Sequence, residues 1–261
     1  MPRSLQHTHR FRRAAALAAA LALAAAASPA AAWAAPAAAS AKASTQHVCP
    51  ALVPPPSQAD RERYMCGDRR LGPADLPDEG VVGELVEEYE RLGGAEPVTF
   101  LSEHRETGVD TGTGELWERW RYPAHDGFAL RGGRPQSDEE TVPAGAMVDR
   151  FGSPRGAFLA PAGTPFPERS LPPDSLNTWP DGPEHNYRCY RVTEEFTART
   201  GPIAPAFEQP GGGRQILLTP ALVEEAGDRD SLGAHAMVEW GYLDKRPAGE
   251  CDVEPDAALG A

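Results

Sequence analysis

Three short blocks in the C-terminal half combine arginine, aromatic and glycine residues in a way that suits an anionic, flat-ringed ligand. The first is Asp149-Arg150-Phe151-Gly152, followed by Gly156, Phe158-Leu159 and the turn from Pro161 to Pro165. The second is Arg169-Ser170-Leu171-Pro172-Pro173. The third runs from Gly201-Pro202-Ile203-Ala204-Pro205 through Phe207 to Gln209-Pro210-Gly211-Gly212-Gly213 and Gln215. Arg150 and Arg169 can hold a pyrophosphate by charge-assisted, bidentate hydrogen bonds. Phe151 and Phe158 can sandwich a flat ring. Glycines 211 to 213 allow backbone to come close to a ligand where a strand begins.

Strands and turns must carry these blocks. From residue 145 onward, short apolar runs alternate with Pro/Gly turns, predicting strands at 147–151, 157–160, 187–192 and 215–218. Thr219 as cap, Pro220 at the first position and Glu224-Glu225 after it predict a helix. Upstream, apolar residues at 82, 85, 86, 89 and 92 have helical spacing that stops at Gly93-Gly94, and a second short helix is expected over 97–103. Trp117, Trp120 and Tyr122 among charged residues suit a strand, followed by a turn at Pro123 to Gly127. The polar stretch 131–141 is the expected boundary between an N-terminal region, 42–140, and a C-terminal domain, 141–250, with 251–261 as a tail. The fold class expected is α+β: a small, mostly antiparallel, β-rich domain with short helices. An N-terminal helical and strand extension precedes it, and disulfides stabilise it.

Composition narrows the function classes. The 261 residues carry 38 acidic and 25 basic side chains, a formal charge of −13, and only Lys42 and Lys245 are lysines. That acidic balance disfavours a nucleic-acid-binding surface. The Gly and Pro content argues against a helical bundle. Residues 1–13 hold four arginines and no acid, and the run from Ala14 to Ala27 is entirely Ala and Leu before Ser28-Pro29. This is the pattern of a secretory leader covering 1–34, with cleavage as late as 41; the run is too short to span a bilayer, so no membrane anchor is expected. Export predicts oxidised cysteines. Cys49, Cys66, Cys189 and Cys251 allow three pairings, of which Cys49–Cys66 and Cys189–Cys251 are preferred because one closes a short loop and the other ties a strand to the tail. No paired CxxC or HxxxH spacing supports a zinc site.

In order and spacing, the three blocks resemble the tuberculosis necrotizing toxin domain family of NAD+ glycohydrolases over about residues 141–245. The segments Cys66-Gly67-Asp68 and Trp120-Arg121-Tyr122-Pro123 to Gly127-Phe128 are similar to its secreted fungal members. The resemblance implies hydrolysis of NAD+, and of NADP+, to nicotinamide and an ADP-ribose product, with no cofactor required. It implies Arg150 and Gln215 as the catalytic pair, with Phe151, Phe158, Arg169 and His185 lining the dinucleotide site. It also leaves room for calcium near the acidic C-terminus (Asp228, Asp230, Asp244, Glu250, Asp252, Glu254, Asp256), with no ligands named. A homodimer and a neutralising partner protein fall within the same implication.

The residue set matches that chemistry. An ordinary glycosidase needs one carboxylic acid to protonate the leaving oxygen and a second carboxylate as nucleophile or base. The nicotinamide of NAD+ is already a pyridinium cation and leaves neutral, so no general acid is required. Binding the phosphates, stabilising an oxocarbenium-like state and admitting a water suffice. Two other classes stay open: a mono-ADP-ribosyltransferase, which normally needs a Glu where this chain has Gln215, and a non-enzymatic secreted NAD- or partner-binding module.

Overall fold

A computed structural model describes residues 48–253. The expected leader with its cleavage sites, and Glu254 and Asp256 of the tail, lie outside the described residues. The chain begins with α1 (Gln58–Arg63), opened by a capping box in which Ser57 Oγ accepts from the Asp60 N–H and the Asp60 carboxylate accepts from the Ser57 N–H. Next come α2 (Gly80–Leu85), α3 (Pro97–His104) and a hairpin of β1 (Arg105–Val109) with β2 (Leu116–Trp120). A two-residue ribbon, β3 (Leu130–Arg131) with β4 (Arg134–Pro135), leads to β5 (Asp138–Val142). Then follow β6 (Met147–Phe151), β7 (Phe158–Pro161), β8 (Tyr187–Val192), β9 (Phe196–Pro202), β10 (Arg214–Leu217), α4 (Ala234–Glu239) and β11 (Leu243–Arg246). Seven of these strands form one antiparallel sheet in the order β11-β8-β6-β7-β10-β9-β5. The expected fold class is therefore the observed one.

Strand alternation gives Gln215 its face, whereas Arg150, on the face of Val148, reaches the site through the gap beside β7. On β6 and β8, Val148, Tyr190 and Val192 point into one core, with Leu232, Met237 and Leu243 packed against them. Phe151, Tyr187 and Cys189 point to the opposite face, where Phe166, Leu176 and α2 cover them. On β10, Ile216 enters the first core, so Gln215 must project to the other face. A third cluster, Leu71, Leu92, Phe100, Trp120 and Phe207, joins the N-terminal region to the loop before β10.

Several expectations change here. The 82–92 periodicity buries the residues it predicts, Val82, Leu85, Val86, Tyr89 and Leu92, but the helix ends at Leu85. Three valines and Gly83 are poor helix formers, and Glu84, Glu87 and Glu88 repel one another along it. After Thr219 there is no helix of the expected kind: Pro220–Leu222 and Glu224–Ala226 form two 3₁₀ turns, and Thr219 makes no capping bond. Val223 between them is extended and buried, so the chain turns aside to place that side chain in the core. The polar stretch 131–141 holds β3–β4 and most of β5, which pairs with β9 from Asp138↔Thr200 to Val142↔Phe196. Strands β9 and β11 and helix α4 were not expected.

The cysteines pair as preferred, Cys49–Cys66 and Cys189–Cys251, with none free. Among the described residues no helix is long and apolar enough to cross a membrane. Cys189 and Cys251 are both buried, and the bond closes a separation of 62 residues. Cys251→Ser is expected to cost about 2–4 kcal/mol, chiefly by releasing the unfolded chain. For a chain of this size that corresponds to a melting temperature lower by roughly 4–16 °C. A thermal melt of the oxidised wild type beside the variant checks it.

Candidate active site

A cavity of about 490 Å³ opens beside the junction of β6, β7 and β10. It is lined by Arg150, Phe151, Gly152 and Phe158 of the first sequence block, by Arg169 and Ser170 of the second, and by Ile203, Ala204 and Gln215 of the third. Tyr122, Pro123, Asp126 and Gly127 of the N-terminal region also line it.

Arg150 occupies the place where β6 and β7 separate. Their ladder holds only Val148↔Pro161 and Asp149↔Ala160. Beyond it the Arg150 guanidinium enters the gap, and Nη1 donates to the Phe158 carbonyl at 2.5 Å. A Cβ on Gly156 would fall on that guanidinium, and one on Gly152 would stand 3.0 Å from it, so both glycines are space for Arg150. Its Nε is buried without a hydrogen-bond partner. Among the described residues no carboxylate forms an ion pair with it. Burial pulls its pKa down to about 10, which still leaves it charged at neutral pH. A partly buried cation without a counter-charge suits an anionic ligand.

Gln215 is buried, and its Nε2 donates to the Asp126 carbonyl at 2.8 Å. A carbonyl can only accept, so this bond fixes the amide orientation and leaves Oε1 as an acceptor toward the cavity. Gly127, with φ +77°, stands beside that oxygen, and a Cβ there would be in ordinary contact with Oε1 at 3.6 Å. The turn His125–Gly127 is itself anchored, because Asp126 Oδ2 accepts from Arg199 Nη1 at 2.8 Å. The sequence signal for this support was the Tyr122-Pro123 to Gly127-Phe128 segment.

Other expected site residues sit differently. Arg169 lines the cavity, but its guanidinium is not free. It forms a buried two-pronged ion pair with Asp149 and also donates to the Thr164 carbonyl. The Tyr187 hydroxyl adds a 2.7 Å bond to the same carboxylate. Phe151 is buried, edge-on to Phe166 with ring centroids 5.1 Å apart and with the Arg169 guanidinium over its ring, so it forms floor rather than half of a sandwich. Phe158, at 44% exposure, is the block's accessible ring. His185 is not among the residues that line this cavity. It lies in a separate hollow with Arg63, Tyr64 and Trp179, because the turn Glu184–Asn186 carries it away from the cavity. The glycine run also serves the protein itself. Gly211 packs on the backbone of Ile203 and Ala204, and Gly213 on Glu168, while neither lines the cavity.

Among the described residues the C-terminal acids do not converge. Asp244 and Glu250 both engage Arg246. Among the described residues the one group of three possible metal ligands is Glu103, His104 and Glu208, which lies elsewhere and in which His104 is hydrogen-bonded to Glu208 at 3.0 Å.

Comparison with known proteins supports a relationship centred on the same residues. Residues 141–245 match the family model described as tuberculosis necrotizing toxin. The conidial surface nicotinamide adenine dinucleotide glycohydrolase of Aspergillus fumigatus is 43% identical over 157 residues, 60% of this chain and 64% of that protein. The chain thus spans just under two thirds of its relative's length. Two solved structures are more distant. Tuberculosis necrotizing toxin complexed with its immunity factor is 15% identical with a TM-score of 0.36, covering 77% of this chain and 90% of that one. Rhs1-CT in complex with its immunity protein is 17% identical with a TM-score of 0.26, covering 46% and 85%. The segment that matches the tuberculosis necrotizing toxin model, residues 141–245, is the one that carries Arg150, Phe158 and Gln215.

Proposed function

We propose that the chain is an exported NAD+ glycohydrolase, acting also on NADP+, that breaks the bond between nicotinamide and ribose. The observation that carries this reading is the pairing, in one cavity, of the uncompensated cation Arg150 with an amide, Gln215, whose oxygen is held free by its bond to Asp126. The name of the Aspergillus relative supports the substrate. Arg150 takes a phosphate of the dinucleotide, and Phe158 offers a face to the nicotinamide ring. Gln215 Oε1 accepts from a ribose hydroxyl, opposing the positive charge that develops on the sugar as the C1′–N bond breaks. Nicotinamide departs neutral, water adds to C1′, and the water's proton goes to solvent.

The state of the carboxylates supports the same mechanism. The cavity wall holds two, Asp149 and Asp126, and each is committed to an arginine. Neither is placed as the free nucleophile or acid that an ordinary glycosidase uses, and no glutamate lines the wall as a transferase would require. The arginine-rich leader ahead of an Ala/Leu run supports export. The toxin description of the matched family supports a neutralising protein partner as well.

Incubating the purified protein with etheno-NAD+ tests the reading: equal free nicotinamide and etheno-ADP-ribose are expected without a modified acceptor, and no release would sink it. A finer expectation concerns Gly156→Ala. Gly156 is outside the left-handed region, so alanine adds no backbone strain, only a methyl against the Arg150 guanidinium. Displacing that group removes a charge-assisted bond of about 1.5–3 kcal/mol, so KM for NAD+ should rise roughly 10- to 100-fold. Steady-state kinetics beside a thermal melt separate this from misfolding.

A further inference from the structure

Arg188 on β8 is the direct cross-strand partner of Arg150 on β6. Residues opposite one another in an antiparallel pair project from the same face, so two guanidinium side chains stand side by side. Like charges in that position destabilise a sheet unless something offsets them. For three other arginines of the sheet this acid-rich chain supplies the offset. Arg199 has Asp126, Arg214 has Glu140, and Arg246 has Asp244 and Glu250. Arg150 and Arg188 instead donate only to backbone carbonyls, of Phe158 and Gly152 respectively. Among the described residues neither forms an ion pair with a carboxylate. The Arg188 bond, Nε to the Gly152 carbonyl at 3.0 Å, holds the side chain against a residue of the cavity wall and leaves both Nη groups to other acceptors.

We infer that Arg188 and Arg150 together form a diphosphate subsite, each guanidinium taking one phosphate group of the bound dinucleotide. The inference rests on the glycohydrolase reading for its ligand and on the β6–β8 register for its geometry. Two adjacent arginine forks match two linked phosphates in number and in charge. A diphosphate also removes the repulsion that the register builds into the empty protein. Alongside burial, the neighbouring charge of Arg188 lowers the pKa of Arg150, so the two groups sense one another. Arg169, the second arginine expected to do this work, already has Asp149 as its counter-charge.

The test is calorimetry with inorganic pyrophosphate on the full chain, for wild type, Arg188→Ala and Arg188→Lys. It is joined by KM for NAD+ and by inhibition with nicotinamide, which carries no phosphate. Loss of one arginine–phosphate contact should weaken pyrophosphate about tenfold or more and raise KM for NAD+ by a similar factor. Nicotinamide inhibition should stay within about twofold, since a purely structural loss at the Gly152 turn would move it in parallel. Wild-type pyrophosphate affinity in Arg188→Ala, a parallel loss of nicotinamide inhibition, or no pyrophosphate binding by the wild type would each overturn the inference. Should Arg188→Ala melt far below the wild type, Arg188→Lys decides. It keeps the charge without the fork, so a loss of about threefold or more supports the site and undiminished affinity rejects it. Pyrophosphate binding that depends on Arg188 in a protein that leaves NAD+ intact would reject the glycohydrolase reading while the diphosphate site stands.

Discussion

Replacing Gln215 by alanine should lower kcat for NAD+ about 100- to 1000-fold while shifting KM little, the signature of an interaction made mainly in the transition state. The geometry gives the reason. Gln215 sits on β10, in register with Gly201, and its Nε2 is tied to the Asp126 carbonyl, so Oε1 is held rigidly at the cavity. A fixed acceptor costs no reorganisation as positive charge develops on the ribose. Folding should lose only the one neutral hydrogen bond, about 1 kcal/mol. Gln215→Glu is the sharper companion. The carboxylate is nearly isosteric, but it cannot donate to Asp126 O, and it would place negative charge against that carbonyl. Turnover should therefore fall in this variant too, as the side chain rotates away from the cavity or takes up a proton. Stopped assays of nicotinamide release, with melts of each variant, check both. Near-wild-type turnover in Gln215→Ala would remove Gln215 from the mechanism.

Much of this was legible in the sequence because short-range rules governed it. Strand β8 was read at its full extent because Tyr187, Cys189, Tyr190 and Val192 alternate apolar and polar neighbours across two buried faces. The three blocks meet at one cavity because each lies at the end of a strand or in the turn after it. Strand β9 was missed because its interior positions are filled by small residues, Ala198, Thr200 and Gly201, whose pattern carries no hydrophobic period. Gly201 is small for a tertiary reason: a Cβ there would meet the carbonyl of Gln136. The Tyr122 to Gly127 segment stands out in the sequence, but its place in the cavity wall follows from long-range packing, since Gln215 and Asp126 are 89 residues apart. The pairing of Arg169 with Asp149 was hidden for the same reason. An Asp at position 149 and an Arg at 169 look like independent surface charges until β6 and the 3₁₀ turn Phe166–Arg169 bring them together below the cavity.

That pairing yields the largest expected effect on stability. Asp149 is fully buried, Arg169 and Tyr187 nearly so, and together with the Thr164 carbonyl they form one hydrogen-bonded network under the site. Arg169→Ala would leave the Asp149 carboxylate without its counter-charge, and Asp149→Ala would do the same to the guanidinium. Removing one partner of a buried pair costs about 3–5 kcal/mol, so either variant should melt roughly 6–20 °C below the wild type. The double variant Asp149→Leu with Arg169→Met should recover most of that loss, because the penalty comes from an uncompensated buried charge rather than from the absence of the pair. The tyrosine hydroxyl, left without its acceptor, should hold back about 1–3 kcal/mol of the recovery. An arginine acting as a phosphate ligand gives the opposite pattern, an unchanged melt with weakened affinity in Arg169→Ala and no rescue by the double substitution. Chemical or thermal unfolding of the three variants, followed by pyrophosphate calorimetry on those that fold, separates the two. Stability rescued in the double variant would assign Arg169 to holding Asp149 beneath the cavity, with Arg150 as the cation that faces the ligand.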